Sequence, residues 1–176
     1  HALATAVCSE VIAKKIKYPK PTECFTCGLL HDIGKVVMYQ IAQDMLVSVV
    51  KKAKAEKKSF AACEVELDVP GHAFLGDFIA GKWGLPQVIR SSIRYHHQDV
   101  REMSTILQSE KIPIHVVALA NSLVIRMNVG HSGDYSDGGL EPYMYQALGM
   151  TFEDVEKICE QTEQEMKKAG SLLASY

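Results

Sequence analysis

The sequence predicts an all-α protein. Apolar residues recur at three- and four-residue steps along most of the chain, no segment alternates β-branched and polar residues with period two, and Pro and Gly fall where helices would stop. The length of 176 residues, with 47% hydrophobic and 23% charged residues, is the profile of a folded globular chain, so one helical domain over residues 1–176 is expected.

Each element follows from local signals. Leu3, Ala6, Val7, Val11 and Ile12 share a helical face from Ala2 to about Ile16, and Tyr18-Pro19-Lys20-Pro21 ends it. Thr22 caps a second helix that holds Cys24 to Leu30 and ends near Gly34, and helices over Lys35–Ile41 and Asp44–Lys57 follow. Ser59 caps a short helix broken by Val69-Pro70-Gly71, after which His72–Lys82 is amphipathic. Trp83-Gly84-Leu85-Pro86 turns the chain, with Pro86 in the first turn of a helix running to about His96. Ile112–Met127 is the most apolar segment and a core helix, with Leu119, Leu123 and Met127 as its stripe. Residues 129–139, with four glycines and two aspartates, read as a surface connection. Thr151 with Asp154 forms a capping box, Asp replacing the usual Glu, for a last helix to about Leu173.

Composition excludes several functions. Nineteen basic against 21 acidic residues leave a net charge of -2, and the pI of about 6.4 argues against an electrostatic nucleic-acid binder. The lysines at 51, 52, 54, 57 and 58 read as the solvated end of an amphipathic helix. No apolar run approaches the roughly 18 residues that span a bilayer, and His1–Thr5 carries no basic segment ahead of an apolar one, so no membrane partner is expected. Five scattered cysteines, an odd number, suit a reducing compartment, and a cytoplasmic location is the expectation. Cys24 and Cys27 form a lone C-x-x-C without a second pair, and read as buried thiols.

The chemistry concentrates in the histidines. Gly28-Leu29-Leu30-His31-Asp32-Ile33-Gly34-Lys35 sets an imidazole beside a carboxylate, and His72 and the pair His96-His97 come from two further helical segments. A carboxylate can bridge two cations while imidazoles fix each of them. Neighbours on a regular helix point about 100° apart, so His96 and His97 share one ion if the helix ends between them and Gln98-Asp99. Mixed nitrogen and oxygen donors suit a divalent transition metal, one or two ions of Fe, Mn, Zn, Ni or Co, rather than Ca or Mg. His115 and His131 stay outside this set as structural residues, and Trp83 reads as the core anchor of its turn.

In order and spacing, His1, His31-Asp32, His72 and His96-His97 resemble the HD superfamily of metal-dependent phosphohydrolases, and more closely the HDOD (HD-related output domain) family of bacterial signalling proteins. The residues behind the closer likeness are Gly28 to Lys35, Glu64-Val65-Glu66, Gly76, Trp83-Gly84-Leu85-Pro86, Ile93 with His96-His97, and Val116-Val117-Ala118-Leu119-Ala120-Asn121, spanning roughly residues 1–127. The resemblance implies an HD-domain-like helical bundle forming the C-terminal HD half of a longer module. It implies metal ligands at His1, His31, Asp32, His72, His96, His97 and Asn121, with Asp32 bridging, and a phosphate-meeting role for Lys35, as in the related HD-GYP phosphodiesterases. Asp32 and Lys35 are accordingly the catalytic candidates. Three features depart from the enzymes: Asn121 stands where the superfamily has Asp, no Gly-Tyr-Pro follows His96-His97, and His1 opens the chain. These favour an output or regulatory domain with a protein partner in a signalling pathway. The alternative is an active metal-dependent phosphohydrolase acting on a phosphate-containing small molecule.

Overall fold

The computed structural model describes residues 1–101 and 103–173, the last five of these by backbone alone. Ten α-helices and no strand are present among the described residues: α1 (Ala2–Lys15), α2 (Pro21–Leu30), α3 (Ile33–Ile41), α4 (Gln43–Glu56), α5 (Phe60–Glu66), α6 (His72–Lys82), α7 (Gln87–Tyr95), α8 (Gln108–Arg126), α9 (Pro142–Gln146) and α10 (Phe152–Leu173). No helix among the described residues is long and apolar enough to cross a membrane.

Local chemistry explains most boundaries. Ser59 Oγ accepts from the Ala62 N–H at 3.1 Å, and Thr151 and Asp154 exchange the reciprocal bonds of a capping box. Pro21 occupies the first turn of α2, where a missing N–H costs nothing, so this helix begins one residue ahead of the expected Thr22. Pro86 instead takes the N-cap of α7, with ψ of 147°. The helix α8 starts four residues before the expected Ile112, because Pro113 is tolerated in its second turn at the cost of one backbone bond.

The helix α8 is the centre of the molecule. Every residue from Pro113 to Val124 is buried, and its two sides face different neighbours. Leu119, Ala120 and Leu123 pack with Cys8 and Ile12 of α1 and with Val155 and Ile158 of α10, while Val117 packs with Cys27, Ala80 and Ile93. Burying one such Leu contributes roughly 1.5–3 kcal/mol, and truncating Leu119 to Ala would cost about 2–5 kcal/mol. A second cluster joins Met38 of α3 to Val49 and Ala53 of α4 and to Phe60 and Cys63 of α5. Cys24 and Cys27 are fully buried, as expected of inert thiols.

The close crossing of α3 over α6 needs glycine. A methyl group at Gly34 would overlap the His72 carbonyl, and the Gly76 backbone lies against Gly34 from the other side. This contact sets α3, which follows Asp32, directly against the start of α6, which bears His72.

One expectation fails. Trp83 is 59% exposed rather than a core anchor. Gly84, at φ 69°, lets the chain reverse, the Leu85 N–H bonds the Ala80 carbonyl, and Leu85 instead packs on Ala80 and Ile89. Residues 129–139 lie on the surface, as expected, and are tied down at three points. Ser132 O accepts from Lys35 Nζ, the Asp134 carboxylate accepts from the Phe60 N–H, and the Tyr135 N–H donates to Lys58 O. The loop is a strap running from the end of α8 over the His1 side of the helix bundle to α3 and α5.

Candidate metal centre

Of the eight residues singled out by the sequence, His1, His31, Lys35, His72 and His96 approach Asp32 directly, and His97 and Asn121 adjoin it through His72 and His1. The chain breaks helical geometry between Leu30 and Ile33, and this break turns the adjacent His31 and Asp32 side chains toward one another instead of 100° apart. His31 Nε2 lies 3.4 Å from Asp32 Oδ2, His72 Nε2 lies 3.3 Å from Asp32 Oδ1, and His96 Nε2 lies 3.9 Å from the same Oδ1. The helix α7 ends at Tyr95, and the rings of the buried His96 and the exposed His97 lie 4.0 Å apart, with His97 Nε2 3.1 Å from His72 Nε2. His1, at the N-cap of α1, puts Nε2 3.0 Å from Asn121 Oδ1 and 3.8 Å from Asp32 Oδ2. Its side chain is buried despite its place at the start of the chain.

The donors divide into two groups that meet at Asp32. His1, His31 and Asp32 form one and His72, His96 and His97 the other, with the ligand atoms of each group within 4.8 Å of one another. Ligands about 2.1 Å from a tetrahedral ion stand roughly 3.4 Å apart, the spacing of His31 and of His72 from the two Asp32 oxygens.

The ring tautomers follow from the outer contacts. His31 Nδ1 donates to Gly28 O at 2.7 Å, His96 Nδ1 donates to Ile93 O at 2.8 Å, and His72 Nδ1 donates to the Glu64 carboxylate at 2.8 Å. Each of these bonds leaves the inward Nε2 as a lone-pair donor, the arrangement by which metal-binding histidines are oriented. His31 Nε2 and His96 Nε2 are buried without a hydrogen-bond partner. A buried polar atom without a partner costs about 1–3 kcal/mol, and here two of them point at one carboxylate. The donor set therefore fits a divalent transition metal.

Burial holds His31 and His96 below the usual imidazole range, with the neighbouring imidazoles adding to the effect at His96, so both stay neutral. Burial also works against the charged forms of Asp32 and His72, and their partners outweigh it. Lys35 and the hydrogen bond from His72 take Asp32 well below the carboxylate range, while Asp32 and Glu64 raise His72. In the metal-free protein, the Lys35 ammonium meets the charge of Asp32. Lys35 Nζ is 2.8 Å from Asp32 Oδ2 and 3.0 Å from Ser132 O.

The HDOD domain family matches residues 1–99, more than half of the chain. The chain belongs to the HDOD family. Of solved structures, the HDOD chain is similar to an HDOD domain protein of unknown function from Geobacter sulfurreducens, at a TM-score of 0.72 and 22% identity over 96% of this chain and 58% of that one. It also resembles a "Putative phosphohydrolase" from Shewanella amazonensis SB2B, at a TM-score of 0.57 and 18% identity over 92% of this chain and 61% of that one. At these identities the likeness is one of fold. An uncharacterized protein of Treponema pallidum (strain Nichols) is 33% identical over 76 residues, 43% of this chain and 15% of that protein. The HDOD chain thus spans less than two thirds of each of these relatives.

Sequence reasoning gave Glu64 no role beyond its place in the family pattern, although it is buried and holds both the backbone N–H and the ring of His72. A buried Glu eight residues before a ligand histidine, across a Pro-Gly break, is the signal that could have found it. His115 is buried in α8 and His131 is exposed on the strap, neither in the two donor groups.

Proposed function

We propose that this HDOD chain is the metal-binding helical half of a signalling output module, and that it passes its state to a protein partner. His31, Asp32, His72, His96 and His97 would hold one or two divalent transition-metal ions, with His1 and Asn121 as the ligands of a weaker position. The observation that carries the reading is the pair of buried, unpartnered Nε2 atoms of His31 and His96 aimed at Asp32. In such a centre the metal supplies Lewis acidity and lowers the pKa of bound water. The chain's own groups do the rest: Asp32 is shared between the two positions, Glu64 orients His72, and Lys35 balances the Asp32 charge.

Two features favour output over turnover. Asn121 brings a neutral amide oxygen where a carboxylate would bind an ion more tightly, and Lys35 is held inward between Asp32 and the strap. Residues 1–176 act in this reading as one helical unit of a longer cytoplasmic protein, and the short coverage of the relatives agrees with that.

A metal-dependent phosphohydrolase is the second reading. What favours it is a cleft of about 370 Å³ that reaches Asp32 and Lys35 together. Elemental analysis of the purified chain, a turnover screen over phosphodiesters and nucleotides, and a pull-down separate the two. Bound metal, no turnover and a captured partner are expected. Robust turnover without a partner would replace the output reading by the hydrolase, and a chain that takes up no metal would end both.

A further inference from the structure

We propose that the cleft beside Asp32 and Lys35 binds a small amphiphilic anion, its charged head at Lys35 and His131 and its apolar tail between α3 and α4. The inference deepens the metal reading and rests on it for part of its charge balance. The cleft, about 370 Å³, lies at the small end of the range for organic ligands, roughly 300–1,000 Å³. Its lining mixes two chemistries: His1, Asp32, Lys35 and His131 are polar, whereas Leu29, Val36, Leu46, Val50 and Phe60 are apolar.

Part of the apolar lining is open to water. Val36 is 53% and Leu29 41% exposed, although both belong to helices whose other faces reach the core. Exposed aliphatic side chains grouped in a concavity beside a buried charge are the pattern of a ligand site rather than of scattered surface residues. The side chains on this wall carry no hydrogen-bonding group, so a nucleobase placed there would lose its polar contacts, while an alkyl chain would lose none.

The polar lining calls for an anion. Asp32 and Glu64 are the carboxylates in contact with the imidazoles, and Lys35 adds a cation whose Nζ lies 4.7 Å from the centre of the Phe60 ring. One divalent ion already leaves this group of charges positive, and a second leaves it more so. An anionic head then competes with Ser132 O for the Lys35 ammonium, and a phosphate or carboxylate meets that requirement.

Isothermal titration of the full chain, metal-loaded and chelator-stripped, tests the inference with octyl phosphate, butyl phosphate, inorganic phosphate and octyl glucoside, all below micellar concentrations. Each buried methylene is worth roughly fourfold in affinity. Octyl phosphate should therefore bind the loaded chain at least tenfold more tightly than each of the other three. Val36→Asp, a surface change that leaves the core intact, and Lys35→Met should each weaken it tenfold or more. Equal affinity for octyl and inorganic phosphate would remove the apolar subsite, and equal affinity for octyl glucoside would remove the anion site. Either result overturns the proposal. If the chain takes up no metal yet binds octyl phosphate through Lys35 and Val36, the metal reading falls and this one stands. Metal uptake without preference for octyl phosphate overturns this one alone.

Discussion

The Glu64 carboxylate holds His72 twice, accepting from its backbone N–H at 2.6 Å and from its ring Nδ1 at 2.8 Å. One acidic side chain on α5 thereby fixes both where α6 begins and which nitrogen of His72 faces Asp32. Groups that orient a metal-binding imidazole in this way typically matter 10- to 100-fold for metal affinity. Glu64→Gln presents an amide N–H to a group that already donates, and metal affinity measured by chelator competition should fall by about tenfold or more. Circular dichroism should retain the helical spectrum. Unchanged affinity would remove Glu64 from the centre.

Asp32 faces both donor groups, so removing it should disable both metal positions at once. An ion present at 100 times its dissociation constant adds about 2.7 kcal/mol to stability. Differential scanning fluorimetry of the wild-type chain should show Tm rising on metal addition and falling on chelation. Asp32→Ala should show no response to either, and a variant that still responds would refute the shared role.

Asn121 Oδ1 lies 3.0 Å from His1 Nε2, beside the group of His1, His31 and Asp32. Asn121→Asp places a carboxylate oxygen where the amide now stands, and a charged oxygen is the better ligand for a transition metal. Stoichiometry by elemental analysis should move toward two ions per chain at low free metal. If occupancy stays as in the wild type, the amide is not what limits this position.

Gly34 has no room for a side chain, because a methyl group there would meet the His72 carbonyl and the Gly76 backbone. Gly34→Ala should push α3 from α6 and cost about 1–3 kcal/mol or more by overpacking, seen as a lower midpoint in urea. The same shift separates Asp32 from His72, so metal affinity should fall with stability. Gly84→Ala is a control with open space around it, and its cost should come from its backbone φ of 69° and leave metal affinity unchanged.

Burial pushes the Cys8 and Cys24 thiols up to about 12 and Cys27 up to about 11, from 9.0. Folded-state values above the unfolded ones mean that the folded chain keeps these protons longer. The stabilisation is complete below pH 9 and is lost as pH rises toward 11–12, at roughly 1.4 kcal/mol per pH unit for each thiol. Tm should therefore decline from pH 9 upward, and a disulfide reagent at pH 8 should modify the half-buried Cys159 well before the other four cysteines. Rapid labelling of Cys24 or Cys27 in the folded chain would contradict their burial.

The helical class was legible because it is written locally. The three- and four-residue apolar steps, the Ser59 and Thr151–Asp154 caps and the Val69-Pro70-Gly71 break all act within one turn of their own position, and each stands in the structure as read. Trp83 was misread because burial is not local. Its turn is made by Gly84 and anchored by Leu85, and nothing near it in sequence indicates which of two apolar neighbours turns inward.

The centre divides along the same line. The sequence by itself determined the donor types and their order, because the chemistry of His31-Asp32, His72, His96-His97 and Asn121 is carried by residue identity. Only the tertiary structure decided that Asp32 turns one oxygen toward His31 and the other toward His72, that Glu64 stands behind His72, and that the strap returns to Lys35. These contacts join residues 8 to 97 positions apart, except for the His31–Asp32 neighbours, whose approach depends on the helix break between α2 and α3. The packing of α3 on α6 through Gly34 and Gly76 brings the distant contacts into reach, and no local pattern along the chain encodes it.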